Sequence, residues 1–203
     1  MAFPVVLDAC VLAPYPLVDV LLRLADTGIY RPLWSQHILV ETRRTMVDKL
    51  GVSAQKADKR LNMMRDNFVD AEVAGYEELI GAMRNNEKDR HVLAAAVRER
   101  AELIVTADRT GFPSEAVEPY NIEVRHPDDF LLDQLDLYED ATRAALSGIL
   151  AAWMNPPFTA HQLLAALANQ VPNFAAEARR LFPPSEDLEV SLREQIRSFF
   201  RRA

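Results

Sequence analysis

Four acidic residues stand at positions where an α/β fold could gather them into one site: Asp8, Glu41, Asp89 and Asp108. Asp8 directly follows the apolar run at residues 5–7, and Asp108 comes two residues after a second apolar run. Carboxylate oxygens are the ligands that Mg²⁺ and Mn²⁺ prefer. Two such ions about 3.5–4 Å apart can activate a water molecule and stabilise the leaving oxygen of a phosphodiester. The residue types therefore indicate a metal site for phosphodiester hydrolysis, provided that the fold brings the acids together.

Each of these acids, taken alone, also has an ordinary structural explanation. Asp8 could cap the turn after its strand, and Asp89 could be favoured by the exposed amides and dipole at the start of a helix. Glu41 projects away from the core face of its helix and could pair with Arg44 three residues later. Asp108 could form an Asx turn after the strand. Only their joint placement favours a single acidic cleft.

The elements that must position the acids alternate between apolar strands and amphipathic helices. This pattern is typical of a mainly parallel sheet covered on both faces, a three-layer α/β/α fold whose ligands lie beyond the carboxyl ends of the strands. Asp8 and Asp108 occupy that location on two strands, Ser35 is a candidate N-cap of the second helix, and Ser53 starts the third. The predicted strands are 5–7, 69–73, 103–106 and 122–124, and the predicted helices are 17–26, 36–50, 53–68, 76–83 and 89–100. Leu39, Thr42, Met46 and Leu50 are expected on the core face of the second helix.

The chain after about residue 133 has an all-helical pattern. We therefore divide it into a domain at residues 1–132 and a helical C-terminal domain or extension at residues 133–203. Four helices are predicted in this part. The first runs from about residue 136 to 154, the second begins at a Thr159–Gln162 capping box, the third begins at Val171, and the fourth runs from about residue 183 to the end. These helices carry no recognisable motif. A protein-docking surface, a dimerisation element and an arm that extends a binding site all remain open.

The composition is that of a water-soluble globular protein, with 49% hydrophobic and 26% charged residues. No apolar run approaches the roughly 20 residues of a membrane-spanning helix, and the N-terminus lacks the basic region of a signal peptide. A single cysteine, Cys10, fits a reducing compartment and is interpreted as a small core residue. We therefore expect a cytoplasmic protein without membrane contact. The net charge of −7 disfavours tight non-specific DNA binding but allows a local basic groove.

The segments around the acids resemble the motif series of PIN-domain proteins. They read V-V-L-D-A-C-V-L-x-P, S-x-x-I-L-x-E, K-D-R-H-V-L-A-A-A and L-I-V-T-A-D-R-x-G-F-P, in the family's order and rough spacing. The resemblance covers about residues 3–130, and within the family it is greatest to the VapC-type toxins of bacterial toxin–antitoxin pairs.

The resemblance implies a PIN-like α/β/α domain that acts as a metal-dependent endoribonuclease. By this likeness, Asp8, Glu41, Asp89 and Asp108 would be the catalytic acids that hold Mg²⁺ or Mn²⁺, and a metal-activated water would hydrolyse RNA. Thr106 would help to position a carboxylate or the water. The implied substrate is RNA, such as tRNA, and the implied partner is the cognate antitoxin of a type II pair. A homodimer is a further expectation.

Position 111 departs from the family pattern. Many relatives read T-x-N-x-x-D-F-P in the fourth motif, whereas this chain has Gly111 in place of the later aspartate and carries an aspartate at Asp108 instead. Either the acid has moved to this earlier position or the site holds three acids. Asn86 stands where some relatives carry an extra acid. A catalytically inactive PIN-like protein-interaction module is therefore the main alternative, although four intact acids argue against it.

Other classes of site have less support. A haloacid-dehalogenase-type phosphatase needs a second aspartate where this chain has Cys10, and a dinucleotide-binding fold needs a glycine-rich turn that is missing. The histidines His37, His91, His126 and His161 lack the spacing of zinc ligands. The basic residues that flank the acidic motifs are either RNA-backbone contacts or ordinary surface charge: Arg43, Arg44, Arg84, Lys88, Arg90 and Arg109.

Overall fold

The structure is a computed structural model that describes residues 2–153 and 158–183. Its strands are β1 (Phe3–Leu7), β2 (Tyr30–Ser35), β3 (Glu72–Val73), β4 (Leu103–Val105) and β5 (Glu123–Arg125). The helices of the first part are α1 (Ala9–Leu12), α2 (Leu17–Asp26), α3 (Gln36–Arg44), α4 (Ala54–Asn67), α5 (Glu77–Ile80), α6 (Arg90–Arg98) and α7 (Ser114–Val117). Four more helices follow: α8 (Pro127–Leu137), α9 (Glu139–Ala152), α10 (Ala160–Leu167) and α11 (Pro172–Glu177).

The five strands form one parallel sheet in the order β3-β2-β1-β4-β5. The chain moves from β1 outward to β2 and β3, and later returns to add β4 and β5 on the other side of β1. The strand order therefore reverses between β1 and β4. A crevice opens at such a switch point, beyond the carboxyl ends of the strands. Leu7 and Val105 pair at the end of these two strands, so the residues that follow them line this crevice.

Helices cover both faces of the sheet, which gives the predicted three-layer α/β/α arrangement. The central strand β1 is apolar throughout, and Val5, Val6 and Leu7 are fully buried, as expected for a parallel strand covered on both sides. Helix α6 packs against β1 and β2, while α2 packs against β2 and also against α9.

Local sequence signals predicted several helix boundaries correctly. Helix α2 has the predicted bounds, and the side chains of Ser35 and Ser53 accept hydrogen bonds from backbone amides at the starts of α3 and α4. Thr159 and Gln162 form the predicted capping box of α10. In each case the signal lies within four consecutive residues, so the sequence alone could identify it.

Other features were missed. Strand β2 was not predicted, because Arg31 and Pro32 interrupt its apolar run. The second helix was predicted to about residue 50, and the chain is helical through Lys49, but α3 ends at Arg44 and a π-helix over Thr45–Lys49 follows it. Leu50 is 48% exposed and does not share the core face with Leu39, Thr42 and Met46, which are buried.

The helical C-terminal part begins earlier than predicted, at α8, whereas α10 and α11 begin as predicted. The helix expected from about residue 136 is two helices, α8 and α9, which meet at Tyr138, where the backbone leaves the helical conformation (φ −138°, ψ 55°). Pro127 in the first turn of α8, with His126 as its N-cap, was the signal that the prediction overlooked. Helix α8 runs through residues 132 and 133, where the sequence analysis divided the chain, and the division stays a prediction.

The buried carboxylate of Asp128 connects α8 to α11. It accepts hydrogen bonds from the backbone amides of Asn173 at 3.1 Å and Phe174 at 2.7 Å, and from the Asn173 side chain at 2.9 Å. It therefore caps a helix whose own N-cap, Val171, has no side-chain acceptor. The helix predicted from about residue 183 to the end lies outside the described residues. Within residues 2–153 and 158–183, no helix has the length and hydropathy needed to cross a bilayer.

Candidate acidic site

Asp8 lies at the carboxyl end of β1, held by contacts from two sides. Its Oδ1 accepts a hydrogen bond from the Ala9 amide at 2.6 Å, which caps α1, and its Oδ2 accepts one from the Thr106 hydroxyl at 2.7 Å. The same hydroxyl accepts a hydrogen bond from the Asp108 amide at 3.1 Å. Thr106, which is fully buried, therefore fixes the orientation of Asp8 and the start of the loop that carries Asp108.

Asp89 lies immediately before α6 and presents a carboxylate oxygen without a hydrogen-bond partner among the described residues. Its Oδ2 is buried and forms no hydrogen bond to any described residue. Burial raises the pKa of the Asp89 carboxyl, and the charges of Asp8 and Asp108 raise it further, while Lys88 acts in the opposite direction. These effects show that the three aspartates share one electrostatic environment.

Gly111 leaves the space that the Asp89 carboxylate occupies. A Cβ atom at position 111 would lie 2.1 Å from Asp89 Oδ2 and 2.9 Å from its Cγ. The Asn86 amide also donates a hydrogen bond to the Gly111 carbonyl at 3.1 Å, which holds the two loops together. The absence of a side chain at position 111 is therefore matched by the placement of the Asp89 carboxylate.

Asp108 is the most exposed of the three aspartates and pairs with a lysine. Lys88 Nζ lies 2.9 Å from Asp108 Oδ2 and 3.8 Å from Asp89 Oδ2. The Thr110 hydroxyl donates a hydrogen bond to Asp108, and this contact together with Lys88 lowers the pKa of the Asp108 carboxyl. A single positive charge thus bridges two of the predicted metal ligands.

Glu41 lies on α3 and meets this group through a histidine rather than directly. Its Oε2 is 3.4 Å from His91 Nε2, and its Oε1 is 4.0 Å from Arg44, the pairing considered in the sequence analysis. The contact with His91 is the main cause of a lowered pKa for the Glu41 carboxyl. His91 follows Asp89 by two residues, and its charge when protonated would lower the pKa of Asp89.

The histidines are less scattered than the sequence suggested. The rings of His37 and His91 lie 5.5 Å apart between centroids, and His37 Nδ1 lies 2.6 Å from the hydroxyl of the buried Tyr76. Contacts between residues 37, 76 and 91 join separate elements, so no local sequence signal could have identified them.

The chemistry of the acidic group suits a divalent cation. The donors are carboxylate oxygens, one of them is buried without a partner, and the Lys88 ammonium already places a positive charge among them. Within the described part of the chain, however, no three acidic, histidine or cysteine side chains converge closely enough to enclose a metal ion as they are placed. Binding would therefore require side-chain adjustment, most simply by Lys88 and Asp108 at the exposed edge.

Cys10 borders the site, but its thiol is held neutral. Its Sγ lies 3.2 Å from Asp8 Oδ2 and 3.3 Å from the Thr106 hydroxyl. Burial and the charge of Asp8 raise the pKa of the Cys10 thiol to about 12, which fits the interpretation of Cys10 as a packing residue and not a nucleophile.

The six basic candidates differ in their availability. Arg43 is held by Asp58, with 2.6 Å between Nε and Oδ1, and Arg109 lies 3.8 Å from Asp129. Arg90 Nε donates to the Asn85 carbonyl at 3.4 Å. The exposed side chains of Arg44, Arg84 and Lys88 complete the set, and of these Lys88 lies in the acidic site itself.

A separate cavity of about 570 Å³ lies between α2 and α4. Its lining includes Leu22, Met63 and Phe68, with Lys56 and Arg60 at the same surface. None of the four predicted acids lines it.

The sheet order and the aspartates after β1 and β4 define an α/β/α fold with an acidic crevice at its switch point. Residues 4–110 match the PIN domain, and residues 127–180 match the VapC50 C-terminal domain. The chain belongs to the PIN-domain family, whose match covers more than half of its length.

A curated relative supports the same placement. The chain is 65% identical over 109 residues to "Putative ribonuclease VapC50" of Mycobacterium tuberculosis (strain ATCC 25618 / H37Rv), a match that covers 54% of this chain and 64% of that protein. The similarity thus spans less than two thirds of the relative. No solved structure matches the chain.

Proposed function

We propose that the protein is an endoribonuclease that uses Mg²⁺ or Mn²⁺ and serves as the toxin of a type II toxin–antitoxin pair. The observation that carries the proposal is that Asp8, Asp89 and Asp108 share one electrostatic environment at the carboxyl ends of the strands, and that Asp89 Oδ2 is buried without a hydrogen-bond partner among the described residues. A parallel sheet places ligands at this edge. The PIN-domain match and the name of the relative support RNA as the substrate.

In this proposal each side chain has a distinct task. Asp8, Asp89 and Asp108 hold the divalent ion, with Glu41 as the fourth acid, and Thr106 keeps Asp8 oriented through its 2.7 Å hydrogen bond. When bound, the ion would supply an activated water and would neutralise charge on the phosphate. Lys88, which already pairs with Asp108, is placed to contact a phosphate oxygen.

The proposal is tested by RNA cleavage with purified protein. Wild type is expected to cleave RNA in Mg²⁺ or Mn²⁺ and to stop when EDTA is added. Asp8→Asn is expected to lose more than about 100-fold in rate, since a metal-binding carboxylate is removed while the α1 cap can be kept. Asp26→Asn, a change at an exposed carboxylate on α2, is the matched control and should cleave like wild type. Undiminished cleavage by Asp8→Asn would refute the mechanism.

The inactive PIN-like interaction module remains the second candidate. It is favoured by the Lys88 ammonium, which neutralises two of the acids without a metal ion. Thermal melting separates the candidates because a ligand that binds the native state raises the melting temperature. Mn²⁺ should raise it for wild type but not for Asp8→Asn if the nuclease proposal holds, and should leave both unchanged if the module lacks a metal site.

The partners follow from the toxin proposal. We propose a cognate antitoxin that blocks the acidic crevice, structured RNA such as tRNA as the substrate, and a homodimer as the assembled form. Co-expression with the product of a neighbouring small gene should yield a complex in which RNA cleavage is suppressed. Light scattering of the protein alone should give twice the 22.9 kDa chain mass if it dimerises.

A further inference from the structure

His91 is a buried polar side chain that packing does not explain. Its side chain is 10% exposed, and both ring nitrogens are buried without a hydrogen bond to any described residue. Burying an imidazole in this way costs stability, whereas a leucine of similar size would fill the space without that cost. A buried polar group of this kind calls for a functional explanation.

The polar group nearest to the ring is the Glu41 carboxylate. The 3.4 Å between His91 Nε2 and Glu41 Oε2 is slightly long for a hydrogen bond, and it joins α3 to α6 where these two helices pack together. Asp89 lies two residues before His91 on the same stretch of backbone and is affected by its charge, so the ring is coupled to two of the four acids. Without it, Glu41 has Arg44, at 4.0 Å and facing solvent, as its other charged neighbour.

The orientation of the His91 ring is itself supported. The His37 ring packs against it at 5.5 Å between centroids, and His37 is held by the Tyr76 hydroxyl at 2.6 Å. Tyr76 is buried and lies at the start of α5, which packs on α6. A chain of contacts therefore runs from the core through Tyr76, His37 and His91 to Glu41.

We propose that His91 is a positioning residue that holds the Glu41 carboxylate toward Asp89, with His37 and Tyr76 fixing the ring. The inference rests on the proposed function, since it assigns how the fourth acid reaches the site. His91 itself need not touch the metal ion or RNA. It acts through Glu41, in the way that the outer neighbours of metal ligands orient them.

The test compares two replacements of His91 that differ in their ability to donate a hydrogen bond. His91→Leu keeps a side chain of similar size but removes the hydrogen-bond donor, whereas His91→Gln keeps a hydrogen-bond donor. His91→Leu is expected to melt at the wild-type temperature or above it, and to bind Mn²⁺ roughly 10- to 100-fold more weakly, measured by electron paramagnetic resonance. Its kcat should fall with little change in KM, and His91→Gln should recover most of both losses. His161→Leu, on the exposed face of α10, is the matched control.

A metal-free measurement keeps this inference separate from the nuclease proposal. The ¹³C resonance of the Glu41 side-chain carboxyl, assigned from Glu41→Gln, should shift in His91→Leu and stay near its wild-type value in His91→Gln. An unchanged resonance in His91→Leu would overturn the positioning role, whether or not the protein cleaves RNA. Equal losses in both His91 variants would likewise overturn it, since they would indicate packing alone. If the resonance shifts as expected but wild type binds no Mn²⁺, the proposed function fails and the positioning role stands.

Discussion

Replacing Gly111 by alanine should impair catalysis while leaving the fold intact. The added methyl group would lie 2.1 Å from Asp89 Oδ2, so this carboxylate must move by about 1 Å or more to restore an ordinary contact. A displacement of that size in a catalytic group costs on the order of 100-fold in rate, or about 2.7 kcal/mol in the activation free energy.

The stability of Gly111→Ala should change little, for two reasons. Gly111 does not have the left-handed backbone conformation that disfavours alanine, and Asp89 Oδ2 has no hydrogen bond to lose when it moves. The melting temperature should therefore stay within about 4 °C of wild type.

The assay is RNA cleavage in Mn²⁺, together with a Mn²⁺ titration and a thermal melt on each variant. Gly81→Ala is the matched control, because a Cβ atom there meets nothing within 4 Å. It should match wild type in rate. A Gly111→Ala protein with the rate and Mn²⁺ affinity of wild type would show that the position of the Asp89 carboxylate is irrelevant to the reaction, and the reasoning would fail.

Two further predictions concern groups beside the site and beneath it. The Cys10 thiol, with its pKa raised to about 12 from 9.0, should react with iodoacetamide at pH 8 about 1,000-fold more slowly than the unfolded chain does, with a rate rising about tenfold per pH unit. Because this thiol ionises more easily in the unfolded chain, its contribution to stability is present below pH 9.0 and is lost as the pH rises toward 12. Rapid alkylation of the folded protein at pH 8 would contradict the burial of Cys10. Asp128→Ala should lower the free energy of unfolding by about 2–4 kcal/mol in urea, since three donors at the start of α11 lose their acceptor, whereas Asp129→Ala should cost less than about 1 kcal/mol. Equal costs for the two variants would contradict the capping role.

The sequence predicted those features that depend on neighbouring residues. Ser35 and Ser53 each stand directly before a helix and mark where it begins. The apolar runs before Asp8 and Thr106 identify two strands that end at the same edge of the sheet. Parallel pairing then brings Asp8 and Asp108 together without further information.

The features that the sequence did not predict depend on distant contacts. The approach of His91 to Glu41 joins positions 50 residues apart on two helices, and neither residue type implies the other. The close fit of Asp89 against Gly111 is likewise a property of two packed loops. Strand β2 shows a different limit, because burial of Tyr30, Leu33 and Trp34 outweighs the poor strand preference of the proline between them.

The cap that Asp128 provides for α11 has a consequence for how the molecule folds. Helix α11 begins 44 residues beyond this carboxylate, so its first amides have no acceptor until α8 is already in place. The last described helices should therefore form late, by docking onto a finished surface, and not as an independent nucleus. Helix α9 also packs on α2, which itself packs on the sheet. The described chain is therefore expected to unfold cooperatively in one transition, and its C-terminal helices are not expected to unfold first.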